Sequence, residues 1–178
     1  FGIPVLLNSV GPDGALRRIA TEAGVPTILY EAGEALRFDE VSIRAGVKGV
    51  VNVMRILGML PARPSKRAAP SKPFIARSST WVRATQSGII RVIAPLGSRV
   101  HKDEALGIIA DPFGEKEQIV RASIGGVIIG RADLPLVNEG DALFHIARFE
   151  KPADVAAEVE ALQGEQNLPG ILPEEPVI

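Results

Sequence analysis

Residues 87–109, SGIIRVIAPLGSRVHKDEALGII, and residues 125–146, GGVIIGRADLPLVNEGDALFHI, are two versions of one pattern. Gly88 aligns with Gly126, Val100 with Val137, and Glu104-Ala105-Leu106 with Asp141-Ala142-Leu143, with one residue's difference in length between them. Both copies consist of short apolar runs punctuated by glycine, proline and acidic turns, which is the chemistry of strands and their connections. A β unit this small cannot bury its apolar face alone, so a tandem pair covers itself, each half lying on the other. The spacing therefore predicts a small pseudo-symmetric barrel or sandwich over residues 77–148, with Val100 and Val137 in like surroundings.

The first sixty residues follow a different period. "FGIPVLLNS" reads as a strand entering a turn, and because it opens on Phe1 the chain is expected to begin inside a domain. In "GPDGALRRIATEAG", Asp13 is a candidate N-cap, Leu16, Ile19, Ala20 and Ala23 form an apolar stripe, and Gly24 is a C-terminal stop. Pro26 opens a strand over residues 27–30 that runs into Glu31. Asp39 then caps a longer helix striped by Ile43, Val47, Val50, Val51, Met54 and Leu57 and ended by Gly58 and Pro61. Gly46 and Gly49 inside that helix each cost about 1 kcal/mol relative to alanine, so the pattern expects a close approach there to a sheet or another helix. Strand, helix, strand, helix is α/β order, yet two strands cannot complete a parallel sheet, so the remainder is expected from elsewhere.

Four divisions follow: 1–60, part of an α/β domain; 61–76, a linker; 77–148, the β domain; and 149–178, a tail. The linker, PARPSKRAAPSKPFIA, holds four prolines and four basic residues without apolar periodicity and reads as an extended tether. The tail offers one modest helix, PADVAAEVEALQ, before a Gly/Pro/Glu-rich end. With a formal net charge of −1, the chain lacks the basic excess that nucleic acid or an anionic membrane surface would select. No apolar run approaches the roughly 18 residues of a spanning helix. The absence of cysteine removes disulfides, thiolate nucleophiles and Cys-based metal sites, and fits a reducing, cytoplasmic setting.

Candidate chemistry is sparse. His101 and His145, 44 residues apart within the β repeat, form no metal-binding spacing and read as surface or packing residues. GGVIIG at 125–130 lies inside the repeat rather than between a strand and a helix, which excludes a phosphate loop. The tandem units resemble the barrel-sandwich of biotinyl and lipoyl carriers, whose modified lysine sits at the hairpin joining the halves. Lys116 falls there, although Glu115 and Glu117 flank it and Pro112, Phe113 and Gly114 lengthen the loop. A binding or carrier module is the second functional reading. Glu31 is the acid that the α/β segment singles out, and such an acid is ordinarily solvated or held by a nearby N–H or cation.

GALRRIATEAGVPTILYEAGE followed by GVKGVVNVMRILGML resembles the C-terminal half of the catalytic domain in the succinylglutamate desuccinylase/aspartoacylase family, zinc deacylases with a carboxypeptidase-like fold. Members append a β domain, so the resemblance reaches to about residue 148. It implies the C-terminal part of an α/β/α domain followed by the β barrel-sandwich, and hydrolysis of a small-molecule N-acyl amino acid. It implies Glu31 as the general base that deprotonates a zinc-bound water and returns the proton to the departing amine. It implies Arg17 as the clamp on a substrate carboxylate, with Arg18 the alternative. One zinc ion is implied too, its His-x-x-Glu pair and later His expected upstream of Phe1 and none of its ligands within this chain. Nucleic-acid and membrane partners are not expected, and a homo-oligomer is left open.

Overall fold

The computed structural model describes residues 1–62 and 72–166. In chain order the elements are β1 (Val5–Leu7), α1 (Leu16–Glu22), α2 (Glu40–Ile56), β2 (Phe74–Ala76), β3 (Ser78–Arg83), β4 (Gly88–Val92), β5 (Arg99–Val100), β6 (Ala105–Ala110), β7 (Glu117–Arg121), β8 (Gly126–Arg131), β9 (Leu136–Val137), β10 (Ala142–Arg148) and α3 (Pro152–Gln166). This is a mixed α and β structure with open sheets. It divides into two compact units, one holding Phe1–Ile3, Ser9–Lys72 and Glu160–Ile178, the other Pro4–Asn8 and Pro73–Val159.

The second unit contains two four-stranded sheets, ordered β3-β10-β8-β5 and β7-β6-β4-β9. Each half of the sequence repeat sends its short strand across to the other half's first strand. Val100 in β5 pairs with Gly126 in β8, and Val137 in β9 pairs with Gly88 in β4. The two valines are both buried in one apolar cluster with Leu106, Ile109, Leu143, Phe144 and Ile146. Burying each of these larger side chains stabilises the unit by about 1.5–3 kcal/mol. The turns that follow are built alike, for the His101 N–H donates to Glu104 Oε2 and the Asn138 N–H to Asp141 Oδ2, both at 2.7 Å. Gly88 and Gly126 are required by close approach. A Cβ on Gly88 would overlap the Ala110 carbonyl oxygen, and one on Gly126 the Ala147 carbonyl oxygen, at equivalent places in the two sheets.

Around this unit the structure departs from the expectations in two places. The opening strand exists, but it pairs in parallel with β2, Val5 facing Phe74 and Leu7 facing Ala76. Thus the last residues of the segment read as linker, FIA, are strand: three apolar residues after Pro73 find an extended partner of the same kind. The linker's centre, residues 63–71, and the tail beyond 166 lie outside the described residues. In the tail, α3 runs three residues past the expected PADVAAEVEALQ, and Val155 in its first turns is fully buried.

In the first unit, α2 begins as expected, the Ser42 N–H donating to Asp39 Oδ1 at 3.0 Å, and ends before Gly58, whose φ is +73°. Gly24 likewise takes a left-handed φ, +78°, after α1. Asp13 does not cap α1. The N-cap is Ala15, without a side-chain bond, and Gly14 with φ +78° turns the chain between them, so that the Asp13 carboxylate instead meets the Arg18 guanidinium. The expected strand at 27–30 has no ladder partner among the described residues. Side-chain type suggests a strand, but a strand forms only where a second backbone supplies its hydrogen bonds.

Candidate functional site

What holds the segment before Glu31 is aromatic packing on α2 rather than a sheet. The Tyr30 ring lies against Gly46, where an added Cβ would stand 3.0 Å from Tyr30 Cε1, and Phe1 fills the space over Gly49. The two rings meet at 5.1 Å between centroids, tilted by 41°, a geometry favoured by their quadrupoles. The Tyr30 hydroxyl donates to the Ser42 carbonyl at 2.9 Å. Burial is the main influence on that phenol and raises its pKa above 10.0, opposed by the Ser42 bond and helped by the Asp39 charge. The close approach expected at Gly46 and Gly49 is therefore real, with rings in place of a sheet or helix. Tyr30 is the anchoring residue that the sequence reading did not single out. The signal for it was present in two helix glycines, Gly46 and Gly49, in a chain with one Tyr.

Glu31 follows this anchor with its side chain exposed, and among the described residues it makes no side-chain hydrogen bond or ion pair. Glu34, three residues on, is engaged by Arg37, Nε to Oε1 at 2.5 Å. Of the two acids, Glu31 alone keeps both oxygens available, and Gly33 with φ +75° turns the chain just after it. An available carboxylate on an anchored mount can accept a proton from a nearby water or hold a cation.

Arg17 and Arg18 separate in the same way. Arg18 is bound by Asp13 and by Glu22, Nε to Oε1 at 2.9 Å, so both ends of its fork are occupied. Arg17 is half-buried, folded over the buried Gly11, where an added Cβ would stand 2.9 Å from Arg17 Nε. It has no acidic partner among the described residues. Neither a hydrogen bond nor an ion pair joins Arg17 to Glu31. An unpaired guanidinium on a small-residue cradle is suited to a carboxylate arriving from solution.

The remaining candidates lie in the β unit. His145 stacks on Trp81 with centroids 4.4 Å apart, and His101 sits exposed in its turn. Lys116 closes the base of the β6–β7 hairpin, its carbonyl accepting from the Asp111 N–H, so the hairpin's apex is formed by Pro112, Phe113 and Gly114. The Asp111 carboxylate accepts from the N–H groups of Phe113, Glu115 and Lys116 at 2.9–3.1 Å. No group of three His, Cys, Asp or Glu side chains converges on a metal-sized site among the described residues. A zinc ion therefore has no ligand set among them. None of the helices described is long and apolar enough to cross a membrane.

A helical piece that carries Glu31 and Arg17 is joined to a two-sheet β unit. No family model matches the chain, and no curated protein matches its sequence. Solved structures do. A succinylglutamate desuccinylase from Silicibacter sp. TM1040 superposes with a TM-score of 0.70 at 21% identity, covering 84% of this chain and 46% of that one. The ectoine utilization protein EutE (DoeB) from Ruegeria pomeroyi gives 0.72 at 19% identity, covering 83% and 47%. A putative succinylglutamate desuccinylase/aspartoacylase from Shewanella frigidimarina gives 0.54 at 18% identity, covering 75% and 38%. The chain thus has the fold found in structures of the succinylglutamate desuccinylase/aspartoacylase family over most of its length, and spans a little under half the length of the first two.

Proposed function

We propose that this chain supplies part of a deacylase that removes the acyl group from an N-acyl amino acid or a related small molecule. The observation that carries this reading is the superposition on two family structures with TM-scores of 0.70 and 0.72. Glu31 acts as the general base: it takes the proton of the water that attacks the acyl carbonyl and gives it to the departing amine, a role for which its free oxygens and anchored mount suit it. Arg17 binds the substrate carboxylate through two parallel N–H donors, while Arg18 stays with its own acids. Zinc, which as a Lewis acid would acidify that water, is held by ligands outside this chain. The β unit is a pseudo-two-fold barrel-sandwich appended to the catalytic part, and the setting is cytoplasmic.

The test uses protein that includes the rest of the α/β domain. There Glu31→Gln leaves zinc content and KM near the parent values and lowers turnover by roughly two to four orders of magnitude on N-acyl amino acids. Turnover within about threefold of the parent would remove Glu31 from the reaction.

A further inference from the structure

Along α2, Asp39, Ser42, Gly46 and Gly49 follow one another at the three- and four-residue steps that keep to a single helix face. This face lies beside the apolar stripe, and each of its members meets the segment that carries Glu31 or the ring packed against it. Phe1, whose ring meets that of Tyr30, fills the space over Gly49, and the Tyr30 ring lies on Gly46. The Ser42 carbonyl accepts from the Tyr30 hydroxyl. Beyond Glu31 the chain returns to the same face. A Cβ on Gly33 would stand 3.4 Å from Asp39 Cβ and 3.7 Å from both Ser42 Cβ and Ser42 Oγ, ordinary contact distances. Glu31 is therefore bracketed on α2, by Tyr30 immediately before it and by Gly33 two residues after it, and both contacts share Ser42.

A carboxylate serves as a base only when its oxygen comes within hydrogen-bond reach of the water it deprotonates, so the placement of its backbone matters. Tyr30 and Glu31 share one planar peptide, which holds their Cα atoms about 3.8 Å apart and passes a displacement of one to the other. Gly46 sets how closely the ring approaches α2. An added Cβ there would stand 3.0 Å from Tyr30 Cε1 and 3.4 Å from Tyr30 Cδ1, and the ring would have to give by a few tenths of an ångström. Glycine is a poor residue for a helix interior, and what its presence allows here is the seat of this one ring.

We infer that Tyr30 and its seat at Gly46 are positioning residues for Glu31: α2 aims the acid through the Tyr30 ring. The inference rests on the reading of Glu31 as the general base, and the experiment separates the failure of one from the failure of the other.

The test is steady-state kinetics of protein that includes the rest of the α/β domain, on an N-acetyl or N-succinyl amino acid that the parent turns over. A misplacement of about 1 Å costs about a hundredfold, so a shift of a few tenths of an ångström in Gly46→Ala lowers kcat about 3- to 10-fold with KM within about twofold of the parent. Tyr30→Ala, which removes ring and hydroxyl together, lowers kcat about 10- to 100-fold, and Tyr30→Phe, which keeps the ring on Gly46, by less than about fivefold. In a Glu31→Gln background, Gly46→Ala and Tyr30→Ala each cost less than about twofold more, because aim has no value once the base is gone. A loss of folded protein would instead lower turnover by the same factor in both backgrounds. Equal losses in the two backgrounds therefore overturn the inference, as does Gly46→Ala with kcat within about twofold of the parent, and the latter result decides even if Tyr30→Ala does not fold. Near-parental turnover in Glu31→Gln alone fails the proposed reaction, and the positioning role with it.

Discussion

Replacing Gly126 by alanine tests the β unit at its tightest point. The added Cβ would overlap the Ala147 carbonyl oxygen and stand 3.0 Å from both the Ala147 carbonyl carbon and Ile146 Cγ2. The first obstacle is backbone within the β8–β10 ladder, and Ile146 is fully buried, so neither has room to yield. Overpacking of this kind costs about 1–3 kcal/mol. Displacing a ladder carbonyl weakens a hydrogen bond worth about 1 kcal/mol, while the stiffer unfolded chain returns about 0.4–1 kcal/mol. The net loss is about 2–3 kcal/mol. Gly88→Ala should cost much the same, because its Cβ would overlap the Ala110 carbonyl oxygen and stand 2.8 Å from Ile109 Cγ2. Gly140→Ala makes the comparison: nothing lies near it, but its φ of +89° is strained for alanine, a cost of about 1 kcal/mol. Urea unfolding followed by fluorescence reports on this unit alone, since Trp81 in β3 is the only tryptophan. The expected midpoint shift for either tight glycine is about 1–2 M. Loss of less than about 0.5 kcal/mol at Gly126, or costs at the two glycines that differ by more than about 2 kcal/mol, would refute both the packing argument and the equivalence of the halves.

On the proposed reading, in protein that includes the rest of the α/β domain, Arg17→Ala raises KM by about 10- to 100-fold with a smaller effect on kcat, whereas Arg18→Ala leaves KM unchanged; steady-state kinetics of both variants separates them. Asp111 titrates below its ordinary 3.8: desolvation is the largest single influence and raises it, but the backbone N–H groups of Glu115, Phe113, Lys116 and Gly114 together outweigh that. A depressed carboxyl stabilises above its unfolded pKa and loses that contribution as pH falls through the folded value, so amide exchange at Phe113, Glu115 and Lys116 should accelerate selectively in that acid range. A preparation of residues 1–178 equilibrated with zinc and washed should retain far less than one equivalent by elemental analysis, because its two histidines and its described acids form no three-ligand site.

The β unit was legible because its information is local and repeated. Gly88 and Gly126 mark the same close approach, and Val100 and Val137 the same buried rung, so one pattern read twice fixed both environments. Caps and stops with a local mechanism, at Asp39, Gly24 and Gly58, were legible for the same reason. Asp13 was not, since a single left-handed residue at Gly14 moved the helix start beyond its reach, and sequence does not announce φ. The pairing of β1 with β2 was hidden by distance, 69 residues separating Val5 from Phe74, and by the prolines that made 74–76 read as tether.

Glu31 shows where the two kinds of information meet. The sequence placed it at a strand end and asked the sheet to hold it; the described residues supply no ladder at 27–30, and Tyr30 anchors the segment instead. That substitution matters for chemistry. A sheet fixes a terminal residue through backbone bonds on both sides, whereas Tyr30 itself is held by one hydroxyl bond and one ring contact on α2 and a second ring contact with Phe1. The exposed Ile28 and Leu29 just upstream are apolar residues of strand type with open backbone, the form in which a segment accepts a second strand. The first two comparison structures are about twice as long as this chain. On the proposed reading the base is thus anchored from one side by α2 within this chain, and a strand laid along 27–30 would fix its aim from the other.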